Sequence, residues 1–506
     1  VNVSSWTREL LASVVVFLVA LPLCMGIAIA SGVPPAMGLV SGIIGGIVVG
    51  TLAGSPLQVS GPAAGLAVIV FEIVQEHGIA VVPVVVAVAG LLQLVAGQLR
   101  LGGVFRAVSP AVIHGMLAGI GVLIFASQFH VMVDDAPSSN GLTNLLTVPG
   151  AVYKGLVPMD DSPHHLAAAV GVITLVSLLA WDFVRKRAPA AIAVIPSPLV
   201  GIVIATTVAA MWSLPIAYVK VPANASELFS PPEMGTWAAL LKPSLLAEAL
   251  AMAAIASAES LLCAAAVDRL HSGERSDLDK ELRAQGVGNI TSGLLGGLPI
   301  TGVIVRSTAN VQAGATTRWS GVFHGVWLLA FVLLVPGVLE MIPRASLAAV
   351  LVVIGWRLVS VDHMLELHKH GRGELAIYGV TMAVIVLTNL LEGLLVGMAL
   401  AMFRLAWTFS YLEVEQTEDA DGVLHLHLKG AATFVGVPTL SRRLAEVPED
   451  AAVHVHLGKL NFVDHACMEL LSDWAERHRG GVVLAWSELE AISKSRPGEH
   501  AKHEAA

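Results

Sequence analysis

The residues able to do chemistry in this chain lie where its apolar segments break. Gly297-Leu298-Pro299-Ile300-Thr301-Gly302-Val303-Ile304-Val305-Arg306-Ser307 interrupts one such run. Glycine loosens the backbone and proline lacks an amide donor, so a helix entering this stretch stops and a fresh, short one starts after Pro299. Unwound backbone at membrane depth survives only inside protein or along a wet cavity, and a helix start there offers free amides and partial positive charge. That is chemistry for an anion, and Arg306 adds a full cation to the same short helix. Ser60-Gly61-Pro62-Ala63-Ala64-Gly65 repeats the pattern in the first half of the chain. Two interrupted segments in corresponding positions of two halves point to a transport site built from facing half-helices.

One carboxylate complements them. Glu259 sits within Ala253-Ala254-Ile255-Ala256-Ser257-Ala258-Glu259-Ser260-Leu261-Leu262-Cys263, where desolvation disfavours the ionised form and makes it a candidate proton carrier; a sodium ligand and a structural partner for Arg306 are the alternatives. Glu72 reads as a mouth residue. His114, His324 and Gln128 read as interhelical hydrogen-bonding groups. His425, His427, His454 and His456 alternate along strand-like runs without a Cys or acidic ligand pattern, so no metal site is expected. No nucleophile, base and oxyanion donor recur at close spacing, which argues against an enzyme, and no cofactor motif stands out.

These residues need a membrane to sit in. Of 506 residues, 55% are hydrophobic and 13% charged, and the mean hydropathy is +0.76, far beyond an ordinary soluble globule. Forty-eight glycines suit helices that pack through small side chains. Cys24, Cys263 and Cys467 are too few and too scattered for a disulfide framework. A net charge of -9 leaves no basic patch for nucleic acid. The apolar run from Leu10 reads as a first span rather than a cleaved leader.

Apolar runs of spanning length, or half that, fall at about 10–30, 36–53, 62–75, 79–99, 108–130, 166–184 and 192–213, then at 244–267, 286–297, 302–315, 320–336, 345–356, 374–390 and 392–410. An odd number per set makes the halves, about 10–213 and 244–410, inverted repeats. Arg100 and Arg106, Arg185 to Arg187, Arg269 to Arg283, and Lys369 with Arg372 fall in alternate connections, whereas 131–165 carries Asp134, Asp135, Asp160 and Asp161. The basic connections face the cytoplasm, with both termini, in a cell inner membrane; 218–242 is an external loop. The transmembrane domain is therefore 1–411. Beyond Tyr411, strand-like runs at 422–430, 452–458 and 481–486 and an amphipathic helix from Asp464 to about His478 make a small α/β module over 412–492, and 493–506 reads as a disordered tail.

Three motifs in order carry a resemblance. Leu21 to Leu39, with Pro34-Pro35, is similar to a first-span signature; Asn289 to Gly314, with Gly296-Gly297-Leu298-Pro299 and Arg306-Ser307, to a tenth-span signature; and Leu460-Asn461-Phe462-Val463-Asp464 to the binding edge of a STAS domain. Together they resemble the sulfate permease family of anion transporters, prokaryotic relatives of the solute carrier 26 proteins. The resemblance implies fourteen spans in a seven-plus-seven inverted repeat, a core domain that moves against a gate domain, a cytoplasmic STAS domain and a homodimer. It implies a substrate site drawn from Leu23 and Ile27, Ala63 and Ala64, and Val303, Ile304, Arg306 and Ser307, with Glu259 as the coupling residue. Many members carry Gln at the position of Leu23, so backbone amides do more here. Sodium-coupled members carry Asp at the position of Glu259 and hydroxyl residues at those of Cys263 and Ile304, which tips coupling here toward protons. Phosphorylatable relatives of the STAS domain carry Ser where His465 stands. The expected function is secondary-active transport of bicarbonate, sulfate or a dicarboxylate with a proton; an anion channel, a sodium-coupled bicarbonate symporter and a membrane-tethered signalling scaffold are the alternatives.

Overall fold

The computed structural model describes residues 3–103, 109–138, 140–157, 163–187, 189, 195–220, 228–369, 371–419 and 422–484. The expected tail at 493–506, together with Arg106, Asp160, Asp161 and the end of the 481–486 run, lies outside these residues. The chain divides into two compact units, Val1–Met398 and Ala399–Ala506.

The first unit is helical. In chain order it holds α1 (Val3–Ala30), α2 (Pro35–Leu52), β1 (Ser60–Pro62), α3 (Ala64–His77), α4 (Val82–Gln98), α5 (Pro110–Met132), α6 (Gly141–Leu156), α7 (His164–Arg185), α8 (Ser197–Met211), α9 (Pro243–Val267), α10 (Leu278–Leu294), β2 (Ile300–Gly302), α11 (Ile304–Gln312), α12 (Trp319–Leu334), α13 (Arg344–Leu358), α14 (Arg372–Leu387) and α15 (Leu390–Phe409), the last running on into the second unit. Among the described residues seven helices are long and apolar enough to cross a membrane, and α8 and α12 are shorter apolar helices. The expected set of fourteen is longer because it also counts the broken pair, α10, which carries Glu281, Gln285 and Asn289, and the shorter α13 and α14.

Two departures have local causes. The acidic connection after α5 contains a full helix, α6, whose start is capped by Asn140, its Oδ1 accepting from the Thr143 amide at 3.0 Å. Helix α10 begins at Leu278 rather than near 286, because Asp277 caps it and Glu281 is held inside by hydrogen bonds that solvate its charge.

Packing sorts these helices into two groups. In one, α4 packs along α10 and α9, and α1 along α2, α11 and α12; in the other, α5 packs on α13 and α14, and α7 on α8 and α13. Burial of Leu39, Ile43, Leu328 and Leu347 in one cluster and of Leu66, Val70, Met252 and Ile255 in another supplies the hydrophobic driving force within the unit.

In the second unit four strands lie in the order β3 (Leu412–Glu418), β4 (Leu424–Ala432), β5 (Val453–Val463), β6 (Val482–Leu484), the first pair antiparallel and the rest parallel. The inward positions Leu424, Leu426 and Leu428 with Val453, Val455 and Leu457 pack on Leu440 and Leu444 of α16 (Val437–Ala445) and Leu471 of α17 (His465–Arg477). Asp464 caps α17: its Oδ1 accepts from Cys467 N at 2.9 Å, and its other oxygen from the Phe434 amide. Burial, with the Asp464 carboxylate beside it, pushes the Cys467 thiol up to about 12. The four strand histidines share the outward face, His425 opposite His454 and His427 opposite His456, with His425 Nδ1 2.8 Å from His456 Nε2.

Candidate functional site

The two broken segments meet. β1 and β2 pair antiparallel, Ser60 opposite Gly302, Gly61 opposite Thr301 and Pro62 opposite Ile300, so α3 and α11 start from one two-stranded crossing. Alternation cannot specify strands this short; α10 positions them instead. Glu281, Gln285, Asn289 and Ser292 recur at helical spacing along one buried face. Glu281 accepts from the Gly54 and Ser55 amides at 2.9 and 3.0 Å and from Gln58 and Gln285 at 2.7 and 2.8 Å. Gln285 also donates to Ser60 Oγ. Asn289 accepts from Ile300 N at 2.6 Å and donates to Ile300 O and Gln93 Oε1 at 2.9 and 2.7 Å. Ser292 donates to Leu298 O at 2.7 Å. The backbone groups of Gly54, Ser55, Leu298 and Ile300, freed where both spans unwind, are thus satisfied from one neighbouring helix.

Neither half-helix start has a side-chain cap. Ala63 and Val303 occupy the cap positions in extended conformation and carry no acceptor, which leaves first-turn amides for a ligand. Arg306 follows in α11 and is fully buried. Its guanidinium lies against Gly61, where any Cβ would overlap it, and reaches Cys24 Sγ at 3.4 Å. Among the described residues its Nε and Nη1 have no hydrogen-bond partner. His324 lies close by and hydrogen-bonds through Nδ1 to the Gly321 carbonyl at 2.5 Å.

Glu259 lies at the other start. Gly65, in the first turn of α3, has the Glu259 carboxylate directly over it: a Cβ there would stand 2.9 Å from both oxygens. The Thr301 hydroxyl is its hydrogen-bonding neighbour, and Oε2 is buried without a partner among the described residues. No ion pair joins Glu259 to Arg306 among the described residues, so the pairing weighed from sequence is not formed. The next residue ties α9 to the crossing, Ser260 Oγ accepting from Gly302 N at 3.1 Å.

The remaining expected site residues take different positions. Ala63 is buried, Ala64 and Val303 are half-buried, and Ile304 is 43% exposed on the open side of α11. Ser307 is inside, its hydroxyl donating to Val303 O at 2.8 Å and accepting from Val59 N at 2.9 Å, with Cys263 Sγ 3.7 Å away. Leu23 and Ile27 are buried on α1, which packs on β1, α3 and α11; Leu23 joins the cluster of Leu39 and Leu328, Ile27 that of Leu66 and Val70. Gln128 differs from its reading: both polar atoms of its amide are buried without a hydrogen-bond partner among the described residues. Gly61, Gly65, Thr301 and the polar face of α10 were not singled out from sequence; the recurrence of Gln285, Asn289 and Ser292 at helical spacing was the available signal.

The model of the sulfate permease family matches residues 7–402. The chain belongs to that family. Its members are transporters, not enzymes. A Bacillus subtilis chain that carries a sulfate-transporter name, YvdB, is 31% identical over 408 residues, 79% of this chain and 73% of its own length. The bicarbonate transporter BicA of Picosynechococcus sp. is 25% identical over 430 residues, covering 81% of this chain and 72% of that one. Among solved structures, the transmembrane domain of a cyanobacterial BicA superposes with a TM-score of 0.67 at 23% identity, over 78% of this chain and 98% of that one. The murine anion transporter Slc26a9 in its inward-facing state gives 0.78 at 15% identity, over 98% and 88%. The fold is therefore that of these transporters.

Proposed function

We propose that this chain is a secondary-active transporter of a small anion, bicarbonate, sulfate or a dicarboxylate, driven by a co-transported proton. The observation that supports the reading is the crossing itself: two uncapped helix starts meeting at β1 and β2, with a buried guanidinium whose Nε and Nη1 have no hydrogen-bond partner among the described residues. Free amides and two helix dipoles favour an anion there, and Arg306 contributes its charge through a low-dielectric interior. In this reading Leu23, Ile27, Ala63, Ala64, Val303 and Ile304 shape the site, and Ser307 holds α11 in place.

The position of Glu259 supplies a coupling mechanism. An ionised carboxylate over Gly65 answers the positive dipole end of α3 by its charge and repels an incoming anion. A protonated one does neither. Proton and anion therefore load together, which is symport. Sodium is less well served, because Cys263 offers sulfur, Ile304 a hydrocarbon, and the Ser307 hydroxyl is engaged by backbone. Elevator-type alternating access would carry α1–α4 and α9–α12 against the remaining helices. The family resemblance extends this to fourteen spans, a homodimer in the inner membrane, and a cytoplasmic STAS domain over 412–492.

The test is uptake of labelled sulfate or bicarbonate into proteoliposomes with pH and sodium varied independently. The proposal expects saturable uptake accelerated by an inward proton gradient and indifferent to sodium. Ohmic, non-saturating anion current supports the channel instead, and a sodium requirement supports the sodium symporter.

A further inference from the structure

At the far end of α3, Glu76 and His77 meet Glu248 from the first turns of α9. One ligand atom from each lies within 4.8 Å of the others. His77 Nε2 stands 3.4 Å from Glu248 Oε1 and 3.9 Å from Glu76 Oε2. These spacings are longer than a good hydrogen bond, whose N···O distance is about 2.7–3.2 Å. The His77–Glu248 spacing matches two ligands sharing an ion, since two donors about 2.0–2.1 Å from a tetrahedral zinc stand about 3.3 Å apart, and the exposed Glu76 side chain closes from 3.9 Å by a rotation. Among the described residues His77 Nε2 and Glu248 Oε2 are both buried without a hydrogen-bond partner, an arrangement that costs free energy unless something occupies the space between them.

We propose that Glu76, His77 and Glu248 form a site for a divalent transition-metal ion of the zinc class, fastening the end of half-helix α3 to α9. An imidazole nitrogen with two carboxylates selects zinc over calcium or magnesium, which prefer all-oxygen shells. His77 and Glu248 side chains are only 14% and 20% exposed, whereas Glu76 is 68% exposed and leaves a side open for a water ligand. The surroundings favour a cation. The last turn of α3 presents its negative dipole end there, and the helix stops at Gly78, whose positive φ of 86° turns the chain away and fixes the direction of His77. Glu72, one turn back, lies within the electrostatic reach of Glu76, Glu248 and Glu392. Among the described residues Glu76 and Glu248 form ion pairs with His77 alone. A bound dication offsets the mutual repulsion of these carboxylates, and it ties together the two elements that carry Gly65 and Glu259. The sequence hid this site because Glu248 lies far from His77 along the chain.

The experiment is calorimetric titration of zinc into the chelator-stripped, full-length protein, with thermal melting of the same samples. The strand histidines are a second possible zinc-binding surface, so the reference is a variant with His425, His427, His454 and His456 all changed to Gln. That variant is expected to keep one zinc equivalent and a zinc-induced rise in Tm. Adding His77→Gln or Glu248→Gln is expected to abolish that equivalent or weaken it at least about tenfold; His77→Cys, which restores a ligand, is expected to recover it. No saturable equivalent in the four-histidine variant overturns the site, as does equal affinity in either folded site variant. Both readouts are independent of transport.

Discussion

Gly65→Ala isolates the contact between Glu259 and the start of α3. The added Cβ would stand 2.9 Å from both carboxylate oxygens, inside the 3.4 Å at which ordinary contact begins, so the carboxylate must retreat by about 0.5 Å. The obstructing atoms are the free end of a side chain rather than backbone, and moving them off a preferred rotamer costs about 0.5–1.5 kcal/mol. Alanine in a helix recovers about 0.5–1 kcal/mol relative to glycine. The two nearly cancel, so Tm should shift by no more than about 3 °C. Coupling should suffer more. A carboxylate at a partly buried helix N-terminus is worth up to about 2 kcal/mol, and losing about 1 kcal/mol of that is about a fivefold change. Uptake into proteoliposomes should therefore lose about fivefold of its acceleration by an inward proton gradient, while exchange without a gradient persists. Full acceleration in a Gly65→Ala protein of wild-type Tm would refute the idea that Glu259 and the helix start work as a pair.

Three further outcomes follow from the same geometry. Asn289→Leu removes three hydrogen bonds and leaves Ile300 N, Ile300 O and Gln93 Oε1 buried and unpaired; at about 1–3 kcal/mol each, stability should fall by at least about 3 kcal/mol in thermal or denaturant melts, and an unchanged melt would show that α10 does not hold the crossing. Glu259→Gln, fixed in a neutral form, should keep anion exchange but lose proton-gradient acceleration; a mutant still driven by the gradient moves coupling to another residue. Deleting the chain after Glu413 should leave a protein that inserts but transports less, since the first unit contains its own hydrophobic core; complete failure to insert contradicts the two-part organisation.

The broken spans were legible because glycine and proline act locally: Pro62 and Pro299 interrupt helices whatever surrounds them. The pairing of β1 with β2 was not, since three-residue strands carry no periodic signal and are held by side chains from α10. Only the part of that helix from about 286 shows in the apolar pattern, since Asp279, Lys280, Glu281 and Arg283 precede it; four donors converging on Glu281 make its burial tolerable. Arg306 was legible as a buried cation, but its direction toward Gly61 and Cys24 depends on how α1 and β1 pack. In the second unit, alternation placed the strands over 424–428 and 453–457, yet not which face the histidines share, because both faces of a strand satisfy a period of two.

The central claim is that an anion binds at the paired helix starts under the charge of Arg306. The most direct measurement is equilibrium binding of labelled sulfate and bicarbonate to purified wild-type protein and to Arg306→Ala, with melting of both. Among the described residues the guanidinium has only the Cys24 contact as a hydrogen bond, so its removal leaves no buried carboxylate unpaired and the melt should stay close to wild type. Loss of a charge that supports the anion should weaken binding at least about tenfold, or about 1.4 kcal/mol. An Arg306→Ala protein that is folded and binds the same anion with wild-type affinity would place the site elsewhere.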